Sequence, residues 1–177
     1  MTTQNLSYPV GPFDPSTDSS ASQRALWMLT IAQFPAQMRA AIAGLSDDEL
    51  YWRYRPGGWT IRQVVHHCAD SHLNAYTRFK LALTEENPTI KPYEEARWAE
   101  LVDSKLPLEP SLQLLEGLHL RWYTLLQNMT EADFERTFSH PEHGTVFSLS
   151  LTLDNYDWHC RHHEAHILQA RRQRFME

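Results

Sequence analysis

The sequence predicts an all-α protein: a four-helix bundle with short extra helices and a small β-hairpin before the last helix. Three observations carry this expectation. Apolar residues recur at helical spacing through four long segments. Ser or Thr followed three residues later by an acid or amide marks several helix starts. One stretch alone, "FSHPEHGTVFSL", sets turn residues between β-formers.

Taken in order, "MTTQNLSYPVGPFDPSTDSS" is rich in Pro, Ser and Asp and reads as an extended arm over residues 1–20. Ser20 to Leu45 carries the first long helix, with Trp27, Ile31, Phe34, Met38 and Ile42 as its apolar stripe. Pro35 is expected to kink or divide it, and Gly44 to stop it. Ser46 with Glu49 forms a capping box for a short helix in "LSDDEL". After the break "RPGGWT", Thr60 with Gln63 opens the second long helix, which Asn87 and Pro88 end. A short helix is expected around Tyr93–Val102, then a loop through Pro107 and Pro110. Ser111 to Met129 forms the third long helix, and Thr130 with Asp133 caps a short one in "TEADFER". Pro141 and Gly144 turn the hairpin, and the last helix runs from Leu149 to Arg172. Four long helices with short connections give a bundle.

The 177 residues suit one domain, 1–177. A net charge of -6 argues against a nucleic-acid partner, which favours a basic stripe. The basic cluster "ARRQR" falls at the end of the last helix, where cations complement the dipole. Two cysteines, Cys68 and Cys160, point to free thiols in a reducing compartment. The N-terminus has neither a basic region nor an apolar run, and no window approaches a membrane span. A cytoplasmic protein is expected.

The histidines are distributed unevenly. Four of the ten fall within "DWHCRHHEAHI", Asp157 to Ile167. At about 100° per residue, the buried face of the last helix runs through Leu149, Leu153, Tyr156, Cys160, Ile167 and Ala170. His163 lies within that face and His159 at its edge, while His166 and then His162 turn towards solvent. An i, i+4 pair of inward imidazoles can share one metal ion. For a third ligand the second helix offers His66, His67 and His72. Its apolar face (Ile61, Val64, Cys68, Ala75, Phe79) places His66 towards solvent, His67 at an edge and His72 inside, so the wheel favours His72. "HHEAH" is one residue short of H-E-x-x-H, there is no phosphate loop, and the cysteines lack CxxC spacing. Each cysteine reads as a small buried residue.

"GGWTIRQVVHHCADSHLNAYTRFKLALTEENP" (Gly57–Pro88) and "WHCRHHEAHI" (Trp158–Ile167), with "LSYPVGPF", "KPYEEARWAEL" and the hairpin, resemble the DinB-like superfamily and, within it, its YfiT-like branch of metal-dependent hydrolases. In that family the first ligand lies eight residues after the Trp that opens the second helix, and the others are the ends of H-x-x-x-H in the fourth. The resemblance therefore implies His67, not His72, together with His159 and His163. It also implies one divalent metal ion per chain, zinc or nickel, a homodimer, and a small-molecule substrate.

Three imidazoles leave a coordination position open, as in catalytic rather than structural sites. Water there is expected to be acidified into a nucleophile, the hydrolase reading. A low-molecular-weight thiol of the bacillithiol type there gives an S-transferase, since the superfamily includes such enzymes. A non-catalytic metal-binding bundle is the third reading. Asp70, Asp157 or a backbone carbonyl is expected to orient a ligand imidazole. Arg62, Arg78 and Lys80 are candidates for an anionic cosubstrate, and His119 for either the cavity or the core.

Overall fold

Ser20 sets the start of the first long helix. Its side chain accepts a hydrogen bond from the Gln23 N–H, and α1 runs over Ala21–Ile42. The computed structural model describes residues 5–142 and 144–176. The first four residues of the predicted arm, His143 in the predicted hairpin turn and Glu177 lie outside that range. Pro35 sits inside α1 without dividing it, contrary to one of the two outcomes expected of it. Gly44 follows the helix end with φ +76°, a backbone conformation that costs glycine little.

Ser46 and Glu49 form the expected reciprocal bonds, Ser46 N–H to Glu49 Oε2 at 2.8 Å and Glu49 N–H to Ser46 Oγ at 3.4 Å. They open only a 3-10 turn, Glu49–Tyr51. Thr60 and Gln63 make a full capping box for α2 (Ile61–Thr84). The predicted helix near Tyr93 shrinks to a single turn, α3 (Glu95–Trp98), followed by a 3-10 turn at Val102–Lys105. The third long helix, α4 (Glu109–Gln127), starts earlier than expected because Pro110 lies in its first turn. There the missing N–H costs nothing, since first-turn donors have no intrahelical acceptor. Thr130 and Asp133 cap α5 (Glu131–Phe134). Strands β1 (Thr137–His140) and β2 (Thr145–Ser148) pair antiparallel, Phe138 opposite Phe147. Ser148 then caps α6 (Leu149–Gln173).

The four long helices form the bundle. α1 packs against α4 and α6, and α2 packs against the same two helices, so the first two helices take opposite corners. The core follows the predicted stripes. Trp27, Ile31, Phe34 and Met38 are buried, with Ile42 half-buried at the end. Ile61, Val64, Cys68, Ala75 and Phe79 face them from α2, and Leu149, Leu153, Tyr156, Cys160, Ile167 and Ala170 from α6. Both thiols are free and buried.

The arm is where expectation and structure part. It lies along α6. Gln169 Nε2 donates to the Leu6 carbonyl at 2.9 Å, Trp158 Nε1 to the Gly11 carbonyl at 3.0 Å, and the Ser16 N–H to Asp154 at 2.8 Å. The Phe13 ring packs on Trp158 at 5.9 Å. His162 and His166, which the wheel turns outward, are therefore only 6% and 3% exposed. A helical wheel accounts for neighbours in the bundle and not for a segment folded over its outside. His66 is corrected likewise: it is 6% exposed, bonded to Ser111 Oγ at 2.7 Å and the Leu106 carbonyl at 3.1 Å. The loop leading into α4 covers it.

Candidate metal centre

α2 and α6 pack directly, and each turns imidazole towards their seam. His159 and His163 are one turn apart on α6, their ring centroids 4.3 Å from each other. The His67 ring lies 5.5 Å from His159 and 4.8 Å from His163. Each of the three offers a nitrogen within 4.8 Å of those of the other two. Trp59, just before the start of α2, holds the His67 ring from the other side at 4.5 Å.

His72, which the wheel favours, lies outside this group. It is fully buried, one layer deeper, and both its nitrogens are engaged: Nδ1 with His119 Nε2 at 2.7 Å and Nε2 with His159 Nδ1 at 3.0 Å. His119 is a core residue, its Nδ1 2.6 Å from the Ile31 carbonyl oxygen. Among the described residues, neither of the expected carboxylates, Asp70 or Asp157, is seen hydrogen-bonded to a histidine of the group. Asp157 instead accepts from Thr30 Oγ1 at 2.6 Å and pairs with Arg161 one turn on. Burial, helped by the Asp103 charge, pushes the Asp70 carboxyl up to about 6.

Burial also settles the charge of the rings. It lowers His67 to about 4, and His159 and His163 well below the ordinary imidazole range, with neighbouring imidazoles adding to the effect. All three are neutral near pH 7, and neutral imidazole is the form that binds metals. A second all-histidine group, His162, His163 and His166, shares His163 with the first. Among the described residues these two groups are the ones with metal-binding spacing, and no carboxylate or thiolate belongs to either. The donor set thus fits a borderline divalent cation and adds no negative charge to it.

The group opens on a cavity of about 920 Å³. Its wall includes Arg55 and Arg78, Glu95 and Glu142, and Tyr93 and Tyr156. Of the three cations suggested by the sequence, only Arg78 lines it. Arg62 is buried elsewhere on the Leu106 carbonyl and Asp47, and Lys80 lies over the Tyr76 ring. The Tyr93 hydroxyl is buried beside Ser71, and burial raises its pKa against the smaller opposing effect of that serine, so it stays protonated. Partial desolvation at the cavity wall, opposed by Arg78 and aided by Glu142, raises Glu95 above the ordinary carboxyl range although the residue as a whole is exposed. Sequence reasoning missed Tyr93, Arg55 and Ser71. Ser71 had a signal, since it follows His67 by one turn of α2 and must share its face. Its hydroxyl lies 3.3 Å from His159 Nε2. Tyr93 and Arg55 sit in irregular segments, where no periodicity marks a direction.

A sequence profile of the DinB superfamily matches residues 30–167, a span that includes all three histidines. The chain belongs to the DinB superfamily. Within that family it is 47% identical over 174 residues to YfiT of Bacillus subtilis strain 168, covering 97% of each chain. It is also 49% identical over 168 residues to a Bacillus cereus protein (strain ATCC 10987), covering 95% of this chain and 96% of that one. Both relatives carry the provisional name of metal-dependent hydrolase. The solved structure of Bacillus subtilis YfiT, described as a four-helix bundle of unusual topology, superposes with a TM-score of 0.92 at 46% identity. That superposition covers 97% of this chain and 99% of that one. The DinB bundle anticipated from the sequence is the fold observed.

Proposed function

We propose that this chain is a metal-dependent hydrolase in which His67, His159 and His163 hold one divalent cation, zinc or nickel. The observation that carries the reading is the convergence of three neutral imidazoles, two buried and His159 half-buried, with nitrogens within 4.8 Å of one another beside a cavity. A cation held there supplies Lewis acidity at a position left open to water or substrate.

The chain's own groups divide the remaining work. The protonated Tyr93 hydroxyl is a donor on the cavity wall, suited to an oxygen that gains charge during acyl transfer. Glu95, with its affinity for protons raised, is suited to accept and return one on the cavity wall. Arg55 and Arg78 are suited to hold a carboxylate of the substrate, with Glu95 and Glu142 balancing their charge on the same wall. The volume matches a molecule of cofactor size.

One observation favours a second reading, transfer of a low-molecular-weight thiol. The cavity is far larger than water needs and carries two guanidinium groups for an acidic cosubstrate. Protein loaded with zinc or nickel, assayed against esters, amides and lactones with and without such a thiol, separates the two. Turnover without thiol, lost in H163A, supports the hydrolase. Conjugation that requires the thiol supports the transferase. Bound metal with no turnover in either arm contradicts both.

A further inference from the structure

Three histidines beyond the proposed ligands, His72, His119 and His166, are buried and bonded ring to ring, and the directions of those bonds can be worked out. A carbonyl oxygen only accepts, so a ring nitrogen facing one must carry the proton. A neutral imidazole has a single N–H, so its other nitrogen must then be bare.

The first chain starts at the Ile31 carbonyl. In an α-helix that oxygen would accept from the N–H four residues on, but residue 35 is proline and has none. His119 Nδ1 donates to it at 2.6 Å. His119 Nε2 is then bare and accepts from His72 Nδ1 at 2.7 Å. His72 Nε2 is bare in turn and accepts from His159 Nδ1 at 3.0 Å. The remaining nitrogen of His159, Nε2, then carries no proton, and its lone pair faces the Ser71 hydroxyl at 3.3 Å, a contact that a bound cation would replace. The second chain starts at the Ser7 carbonyl in the arm. His166 Nε2 donates to it at 3.2 Å, and its bare Nδ1 accepts from His163 Nδ1 at 3.4 Å. His163 Nε2 is left bare as well.

We propose that two histidine chains, Ile31–His119–His72–His159 and Ser7–His166–His163, fix both α6 imidazoles as the Nδ1–H tautomer, so that each presents a bare Nε2 to the site. The inference rests on the ligand assignment proposed above. His72, His119 and His166 are positioning residues: they act through the ligands and touch no substrate. Their role is one that carboxylates often take at metal-bound histidines. Here the partners are neutral, so the cation keeps its full charge, and the polar groups are satisfied without burying an anion. The scheme also separates the two overlapping histidine groups. Once His166 Nδ1 and His163 Nδ1 share a proton, neither is free to bind a second ion.

The tautomers can be read without any metal. In protein labelled with nitrogen-15 at histidine, at pH 7.5, long-range proton–nitrogen correlations distinguish the two forms. Residues 72, 119, 159 and 163 are expected as Nδ1–H and residue 166 as Nε2–H. Zinc affinity, measured by chelator competition, is expected to fall about 10- to 100-fold in H72L and in H166L. H72Q keeps an acceptor where Nε2 was, and H166N keeps one where Nδ1 was, so both are expected to recover most of that loss. Purely structural roles would lower the melting temperature while leaving the His159 and His163 tautomers and the rescue pattern unmoved. The proposal is overturned if residues 159 and 163 prove to be Nε2–H, or if H72L and H166L keep wild-type tautomers and zinc affinity. Two zinc ions per chain, one lost in H166L, would overturn the second chain. Should H72L fail to fold, the wild-type tautomers and the H166L/H166N pair still decide. Absence of zinc binding in wild type would sink the ligand assignment alone, because the tautomers are read in metal-free protein.

Discussion

The Nδ1 atom of His119 lies 2.6 Å from the carbonyl oxygen of Ile31, which Pro35 has deprived of its helical donor. A proline in the middle of a bundle helix and a histidine in its core are thus one feature. The proline's missing N–H frees an acceptor, and the acceptor gives a buried imidazole a fixed direction. Because that direction passes through His72 to His159, the proline in α1 bears on the candidate metal centre across the bundle.

Removing His119 therefore strands two buried groups, the Ile31 carbonyl and the His72 Nδ1–H. Each costs about 1–3 kcal/mol when unsatisfied. His119→Leu is expected to lower stability by about 2–5 kcal/mol, read from urea unfolding, with the helical circular dichroism of the folded state retained.

Acid should destabilise the metal-free protein through its buried imidazoles, with the raised Asp70 carboxyl acting in the opposite sense. Burial holds His119 at about 4 in the folded state, against about 6.5 for an unfolded chain. Above 6.5 the ring is neutral in both states and contributes no pH dependence. As pH falls from 6.5 towards 4, only the unfolded chain takes up the proton, so stability drops, by about 3 kcal/mol for this residue alone. His162, lowered to about 4, and His166, to about 3, act in the same direction. The urea midpoint is expected to fall steeply between pH 6.5 and 5 and to stay nearly flat between pH 7 and 8.

The arm is expected to matter at the metal and not only at the surface. It supplies the Ser7 carbonyl to His166 and covers His162 with Tyr8. Deleting residues 1–16 should weaken zinc binding by about tenfold while leaving helix content unchanged, as measured by chelator competition and circular dichroism.

Tyr93→Phe separates chemistry from metal binding. If the hydroxyl stabilises charge in the reaction, turnover should fall by about 100-fold. Metal content should remain that of wild type, because the ring lies outside the three-histidine group. Elemental analysis alongside the kinetics checks both halves.

The parts of this molecule legible in the sequence are those governed by local rules. Capping at Ser46, Thr60 and Thr130 and the apolar stripes of α1, α2 and α6 depend on residues a few positions apart, and they appear where expected. The pairing of His159 with His163 is of the same kind. The choice of His67 over His72 was not local. Both lie near the buried side of α2, and only the family resemblance favoured the one that the structure places beside the α6 pair. Depth along the bundle axis, which a wheel does not represent, separates them. Burial of His66, His162 and His166 depends on irregular segments folding over the outside of helices. The bonds of His119 depend on an acceptor created by a proline in another helix. Asp157 goes elsewhere for a similar reason, since Thr30 and Arg161 claim it before any imidazole can.

Anomalous diffraction from a crystal of the zinc-loaded protein tests the metal centre most directly. One peak per chain is expected, about 2.0–2.1 Å from the Nε2 atoms of His67, His159 and His163. A peak held by His162 and His166, or no peak at saturating zinc, would contradict it.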